Sequence, residues 1–190
     1  MSGEPIDAVT LETARLRLRP WRDSDIAPFV ELGRDPEVMR YFPTLLTPEA
    51  STEGVERIRR HFEAVGWGLF AVEVKGGAEF AGFCGLQHVP FDTAFTPAVE
   101  IGWRLARTAW GHGYATEAAR ACLDFARDTL RLPEVVAMVV PDNARSIAVM
   151  QRLGMTYVEG ADFDHPRIAE GQIGVGGFPS RRHRLYRVRP

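Results

Sequence analysis

Apolar positions along this chain change spacing several times, and each change marks an element. Between Arg15 and Trp21 arginine alternates with leucine, so Leu16 and Leu18 share one face of a strand that Pro20 ends. The next stretch, from Asp23, opens on capping residues and sets Ile26, Phe29, Val30 and Leu32 at helical spacing. Thr47 followed by Pro48 is an N-cap with proline at the first helical position, and predicts a helix to about Ala64. Gly68–Val74 and Phe80–Gln87 read as the two strands of a hairpin turned at "KGGAE". After the loop "VPFDTAFTP", Val99–Leu105 alternates again. Val99, Ile101, Trp103 and Leu105 take one face, and Glu100, Gly102 and Arg104 take the other.

Ala115, Ala118, Ala119, Cys122, Leu123 and Ala126 then recur at helical spacing, a face of small residues suited to lying close on a sheet. Val135–Val140 is a continuous apolar run and predicts a central strand buried on both faces. Asp142–Met155 reads as a short helix stopped at Gly154, and "MTYVE" as a strand start. A loop rich in Gly, Pro and charge covers 162–182 before a closing strand at His183–Arg189. The order β, α, α, β, β, β, α, β, α, β, β with an internal hairpin implies an α/β domain over residues 1–190 with a mixed sheet.

Bulk properties narrow the classes. A chain of 190 residues, 45% hydrophobic and 25% charged, has the balance of a globular domain rather than a disordered one. A net charge of −2 gives no basic field for nucleic acid. No apolar run reaches the roughly 18 residues of a membrane span, and the N-terminus lacks the basic and apolar regions of a signal peptide, so a cytoplasmic protein is expected. Cys84 and Cys122 lie in apolar stretches and read as buried reduced thiols. His88, His165 and His183 lack ligand spacing, so no metal is expected.

Gly111 and Gly113 precede the small-residue helix, and three readings compete for them. They could simply turn the chain. A dinucleotide fingerprint fails, because Thr116 stands where its third glycine belongs and Ala106–Trp110 separate the strand from Gly111. A P-loop fails for want of its lysine. The remaining chemical reading is a simple anion site: a helix start offers unpaired N–H groups, and glycines remove Cβ atoms where an anion must approach. His112 and Arg107 add positive charge.

The context points further. "EIGWRLARTAWGHGYATEAARACLDFA" followed by "MVVPDNARSIAVMQRLGM" resembles the GNAT superfamily of acetyl-CoA-dependent N-acetyltransferases, in particular the ribosomal-protein N-terminal acetyltransferase branch of RimJ and RimL. "LETARLRLRPWRDSDI" and "RHRLYRVR" are similar to that branch's first and last elements, so the likeness covers nearly the whole chain. It implies a mixed, mostly antiparallel central sheet flanked by helices on both faces, with acetyl-CoA as donor. The family's phosphate loop, [Q/R]-x-x-G-x-[G/A], maps onto Trp110, Gly113 and Ala115, with tryptophan where Gln or Arg is usual. The backbone of Gly111, His112, Gly113, Tyr114, Ala115 and Thr116 is thereby implied as the cradle of the coenzyme A pyrophosphate. The strand before it, at Trp103 and Leu105, is implied to pair with the pantetheine arm.

The same resemblance makes Glu100 the candidate base, Asn143 a contact to the cofactor arm and Ser146 the group near the sulfur. Met150 stands where many members carry a tyrosine acid. Each residue also has a plainer role: a cross-strand ion pair with an arginine for Glu100, an N-cap for Asn143. Gly102 reads either as a bulge or close backbone approach, or as a packing glycine under a neighbour such as Trp67. The expected reaction is direct acetyl transfer to a primary amine, since neither motif loop holds a cysteine to carry the acyl group. The acceptor is a protein N-terminus or a small amine, and the protein a monomer or homodimer. A non-catalytic acyl-CoA-binding module of the same fold and a plain nucleotide-binding domain are the rival classes. Acceptor choice is expected to lie in the helical segment Asp23–Val65 and in the 162–182 loop.

Overall fold

The computed structural model describes residues 9–190. Its strands are β1 (Leu11–Glu12), β2 (Leu16–Arg19), β3 (Leu69–Val74), β4 (Gly82–His88), β5 (Val99–Leu105), β6 (Val135–Val139), β7 (Thr156–Tyr157), β8 (Phe163–Asp164) and β9 (Arg182–Val188). Its helices are α1 (Ile26–Arg34), α2 (Pro48–Val65), α3 (Tyr114–Asp128) and α4 (Ala144–Arg152). One sheet runs β1-β2-β3-β4-β5-β6-β9-β7, with β8 paired to β9. Every pairing is antiparallel except β5 with β6. Strands β1 and β8 lie outside the sequence reading, because two residues are too few to show alternation.

Local chemistry explains the boundaries. Thr47 Oγ1 accepts the Ala50 N–H at 3.1 Å with Pro48 in the first turn, and α2 ends at Gly66, whose φ of 79° few other residues adopt cheaply. Strand β4 begins later than its apolar pattern, at Gly82, where φ is 128° and a Cβ would fall 2.2 Å from the Arg104 carbonyl oxygen. The start of β4 can therefore lie against the end of β5 only because position 82 has no side chain.

Neighbouring residues on a strand point to opposite faces. Phe83 packs against Phe29 of α1, ring centroids 6.1 Å apart, whereas Cys84 meets Cys122 of α3. Helices thus cover both faces. Ala118, Ala119, Cys122 and Ala126 are fully buried, so the small-residue side of α3 lies close on the sheet. Both thiols are free and buried, and the contact with Cys84, with burial behind it, pushes the Cys122 thiol up. Below α1, the buried pair Arg19 and Asp25 is joined by two bonds of 2.7 and 2.9 Å, and Arg19 also reaches the half-buried Glu73 at 2.8 Å. Asp25 also accepts the Arg22 N–H at 2.7 Å, so one carboxylate fixes both β2 and the entry to α1.

Candidate active site

Strand β5 is tied to β4 along its whole length, from His88–Val99 to Gly82–Leu105. To β6 it has a single register pair, Glu100–Val136. Beyond that rung the two strands part. The orientation of the free groups follows from the ends of the β4 pairing. Ala98 O accepts from Val89 N and Ala106 N donates to Ala81 O, each at 2.9 Å, and the register between them is unbroken. Even-numbered residues of β5 therefore spend their backbone groups on β4, and odd-numbered ones turn theirs toward β6: Val99 and Ile101 flank the Val136 rung, and Trp103 and Leu105 face the gap. The expected pantetheine contacts, Trp103 and Leu105, lie on that free edge.

The Leu105 carbonyl already has a partner within the chain, which leaves its N–H on the free edge. Trp110 Nε1 donates to its carbonyl oxygen at 2.9 Å, and the Arg145 guanidinium stacks 4.5 Å from the Trp110 ring centroid. Trp110 thus fastens the loop to the strand end and to the first turn of α4, in place of the polar contact its family position supplies. Asn143, the α4 N-cap, accepts the Ser146 N–H through Oδ1 at 3.1 Å, which leaves its amide N–H₂ free. Its two roles are compatible. Met150 is buried in the core and offers no acid.

At the loop, Gly111 and Gly113 both take φ near 80°. Gly113 is the N-cap of α3 and has no side chain to occupy the first turn. The N–H groups of residues 111–116 meet no acceptor among the described residues, so they form a ready anion cradle with the positive end of the α3 dipole behind it. No atom lies within 4 Å of a Cβ built at Gly111. The ring of His112 stacks on Tyr114 at 5.3 Å.

Sequence reasoning missed the residue that holds this loop. Arg15, at the foot of β2, donates to His112 O at 2.9 Å, pairs with Glu117 at 2.6 Å and lies 4.9 Å from the Tyr114 ring centroid. Glu117 also accepts from Thr13 Oγ1 at 2.6 Å. Burial pushes the Glu117 carboxyl up, but the bonds from Thr13 and Arg15 outweigh it and hold the group below the usual range. No local signal marks Arg15, which alternation alone places on a strand.

Glu100 sits at the last rung before the gap. It has no arginine partner; its neighbour is Gln87, directly across on β4, whose amide donates to it. Burial pushes its pKa up to about 7, against which the Gln87 bond is a smaller opposing effect. The ion-pair reading is thereby replaced by a lone, desolvated carboxyl. On the same face, Gly102 shows no bulge, and a Cβ there would meet nothing within 4 Å, so it is not a packing glycine under Trp67 either. The strand has an open floor between Glu100 and Arg104. His88 takes the opposite face, beside Trp67 and His61.

The two segments expected to choose the acceptor meet over this face. Val175 N donates to Phe42 O at 2.9 Å, Gly176 N to Arg40 O at 2.8 Å, and Tyr41 packs on Phe178 at 5.1 Å. Phe42 in turn lies on the Arg104 guanidinium. Among the described residues no group of three or more His, Cys, Asp or Glu side chains is placed to hold a metal, and no helix is long and apolar enough to cross a membrane.

A sheet that parts beside a glycine-opened helix start, with a desolvated carboxyl at the fork, offers a free strand edge and an anion-binding turn side by side. Residues 15–156 match the model of the acetyltransferase (GNAT) domain, and the chain belongs to that family. It is 39% identical over 148 residues to YkkB of Bacillus subtilis, covering 77% of this chain and 85% of that one. It is 33% identical over 175 residues to the FsC-acetyl coenzyme A-N(2)-transacetylase of Aspergillus fumigatus, covering 86% and 74%. The solved acetyltransferase of Agrobacterium tumefaciens superposes with a TM-score of 0.76 at 26% identity, over 100% of this chain and 99% of that one. The protein is an N-acetyltransferase of the mixed, mostly antiparallel GNAT fold, with acetyl-CoA as its co-substrate.

Proposed function

We propose that this protein transfers the acetyl group directly from acetyl-CoA to a primary amine in a ternary complex, with Glu100 as the base. One observation carries the reading: a lone buried carboxyl with a pKa near 7 stands where β5 and β6 part. A base of that strength is half-ionised at neutral pH and matches an N-terminal amine, whose own pKa is near roughly 8. Acetyl-CoA supplies the activated acyl group. The N–H groups of Gly111, His112, Gly113, Tyr114, Ala115 and Thr116 hold its pyrophosphate, the Trp103 and Leu105 edge aligns its arm, and Asn143 steadies that arm with the amide its cap leaves free. Glu100 takes the amine proton, directly or through water. Ser146, whose hydroxyl makes no bond to any described residue, is the proton donor to the departing thiolate in place of the absent tyrosine.

The RimJ/RimL-like motifs make a protein N-terminus the first acceptor class. The name of the A. fumigatus relative specifies N(2)-transacetylation of FsC, and favours a small-molecule amine as the second. Thiol release from acetyl-CoA, measured with N-terminal peptides and with small amines, separates the two. Acetyl-CoA binding without thiol release to any amine would leave a non-catalytic module. Stabilisation by NAD or ATP but not by acetyl-CoA would leave a nucleotide-binding domain.

A further inference from the structure

Arg104 carries a charge that no other described residue answers. It projects from the same face of β5 as Glu100, one strand step beyond the bare floor at Gly102. Its guanidinium carbon lies 4.0 Å from the centroid of Phe42 and 5.4 Å from that of Phe83. Its Nε is shut off from solvent with no acceptor. Among the described residues it makes no ion pair. Asp35, which lies beside Arg107 just past the strand's end, is already taken by the Glu37 N–H at 2.9 Å and by Arg107 at 3.8 Å. Burial lowers the Arg104 pKa to about 10 with no anion to offset it, which still leaves the group cationic at neutral pH.

A cation confined between aromatic rings without a counter-ion is costly, and the cost disappears when a ligand brings the anion. The two rings also hold the guanidinium in place before a ligand arrives, and its fork of N–H groups is the shape that suits a carboxylate. The residue belongs to the acceptor's side of the site. Its ring partner Phe42 is exposed and sits in the segment bonded to the 162–182 loop.

We propose that Arg104 binds a carboxylate carried by the amine acceptor, so that the enzyme selects amines bearing an acidic group at a set distance. This rests on the reading of the Glu100 face as the acceptor cleft. Residues 100 and 104 are about 13 Å apart along an extended strand, at roughly 3.3 Å per residue. Allowing for side chains that lean together, the acidic group lies on the order of 10 Å from the reacting amine. That is the span of a long ω-amino acid, or of a peptide with an acidic third residue.

The test uses the full-length protein and Arg104→Met, which keeps an unbranched side chain between the rings and removes the charge. Thiol release is measured with 8-aminooctanoate against its carboxamide, and with Ala-Ala-Glu-amide against Ala-Ala-Gln-amide. Wild-type KM is expected to be at least tenfold lower for the acidic member of at least one pair, and the ratio to fall to about one in Arg104→Met. The pair that responds identifies the acceptor as small molecule or peptide. A second measurement needs no turnover: glutarate should raise the thermal midpoint of the acetyl-CoA-loaded wild type but not of Arg104→Met, and 1,5-pentanediol should raise neither. If no amine is acetylated yet glutarate discriminates the two proteins, the catalytic reading fails and Arg104 stands as a carboxylate site. Equal KM within both pairs, a preference that survives Arg104→Met, or a variant that loses acetyl-CoA affinity without changing acceptor preference would each overturn the proposal.

Discussion

Replacing Glu100 with glutamine tests the site and the fold together. Glutamine has nearly the shape of a protonated glutamate, so Glu100→Gln fixes the neutral state that the cleft favours. Burial moves the Glu100 pKa from 4.5 to about 7. Below pH 4.5 the carboxyl is protonated in both folded and unfolded chains, and its titration costs nothing. Between pH 4.5 and 7 the unfolded chain releases the proton that the folded chain retains, so stability falls as pH rises, and above 7 the loss is complete. At 1.36 kcal/mol per pKa unit the loss is about 3 kcal/mol. Glu100→Gln should therefore match wild type in thermal midpoint near pH 4.5 and exceed it at pH 8 by roughly 6–12 °C, taking 2–4 °C per kcal/mol for a chain of this size. Over the same interval, wild-type kcat/KM should rise with an apparent pKa near 7. In the variant it should lose that limb and fall about 10²-fold or more at pH 8, with acetyl-CoA affinity little changed. Calorimetric unfolding at the two pH values and an initial-rate profile are sufficient. A midpoint difference that is the same at pH 4.5 and pH 8 would refute the desolvation argument. A variant with full activity and an intact limb would refute Glu100 as base.

Three further changes probe other parts of the argument. Gly113→Glu puts a side chain at a φ of 80° and a negative charge at the mouth of the cradle; acetyl-CoA affinity should drop at least tenfold by calorimetry, and unchanged binding would remove the loop from the site. Trp110→Phe keeps an aromatic ring for Arg145 but deletes the bond to Leu105 O; denaturant unfolding should show a loss of about 1 kcal/mol, and no loss would mean the loop is held by other contacts. Asp25→Ala strips Arg19 of its main partner inside the core; unfolding free energy should fall by about 3–5 kcal/mol, and a drop under 1 kcal/mol would show that Glu73 alone neutralises the guanidinium.

Elements with many repeats of one spacing were legible in the sequence: the alternation of β5, the small-residue face of α3, the cap of α2 at Thr47. So were groups whose neighbours lie close along the chain, such as Asn143 with Ser146. What the sequence hides is chemistry made by distant segments. Arg15 reads as one more alternating arginine until the fold sets it against His112 and Glu117. Glu100 reads equally as a base or a salt-bridge partner, and only its cross-strand neighbour, Gln87, separates the two. Gly102 invited a bulge because an isolated strand glycine usually has a backbone reason. Here the reason lies above the sheet, in the space the missing side chain leaves. The solitude of Arg104 could not be foreseen, since the absence of a partner is a property of every surrounding element at once.

The single rung between β5 and β6 divides the molecule mechanically. On one side, β1 to β5 form a ribbon of successive antiparallel neighbours; on the other, β6, β9, β7 and β8 form a smaller one. With a single rung between them, made by the residues that flank Glu100 to Val136, the two ribbons depend on the packing of α3 and α4 for their alignment, which is the arrangement expected to open at a free energy below that of global unfolding. A donor lying in the seam, bonded to the free edge of β5, would join them as an added strand does. Amide exchange in the smaller ribbon should then slow when the seam is filled, and the departure of product would double as the unzipping of a sheet.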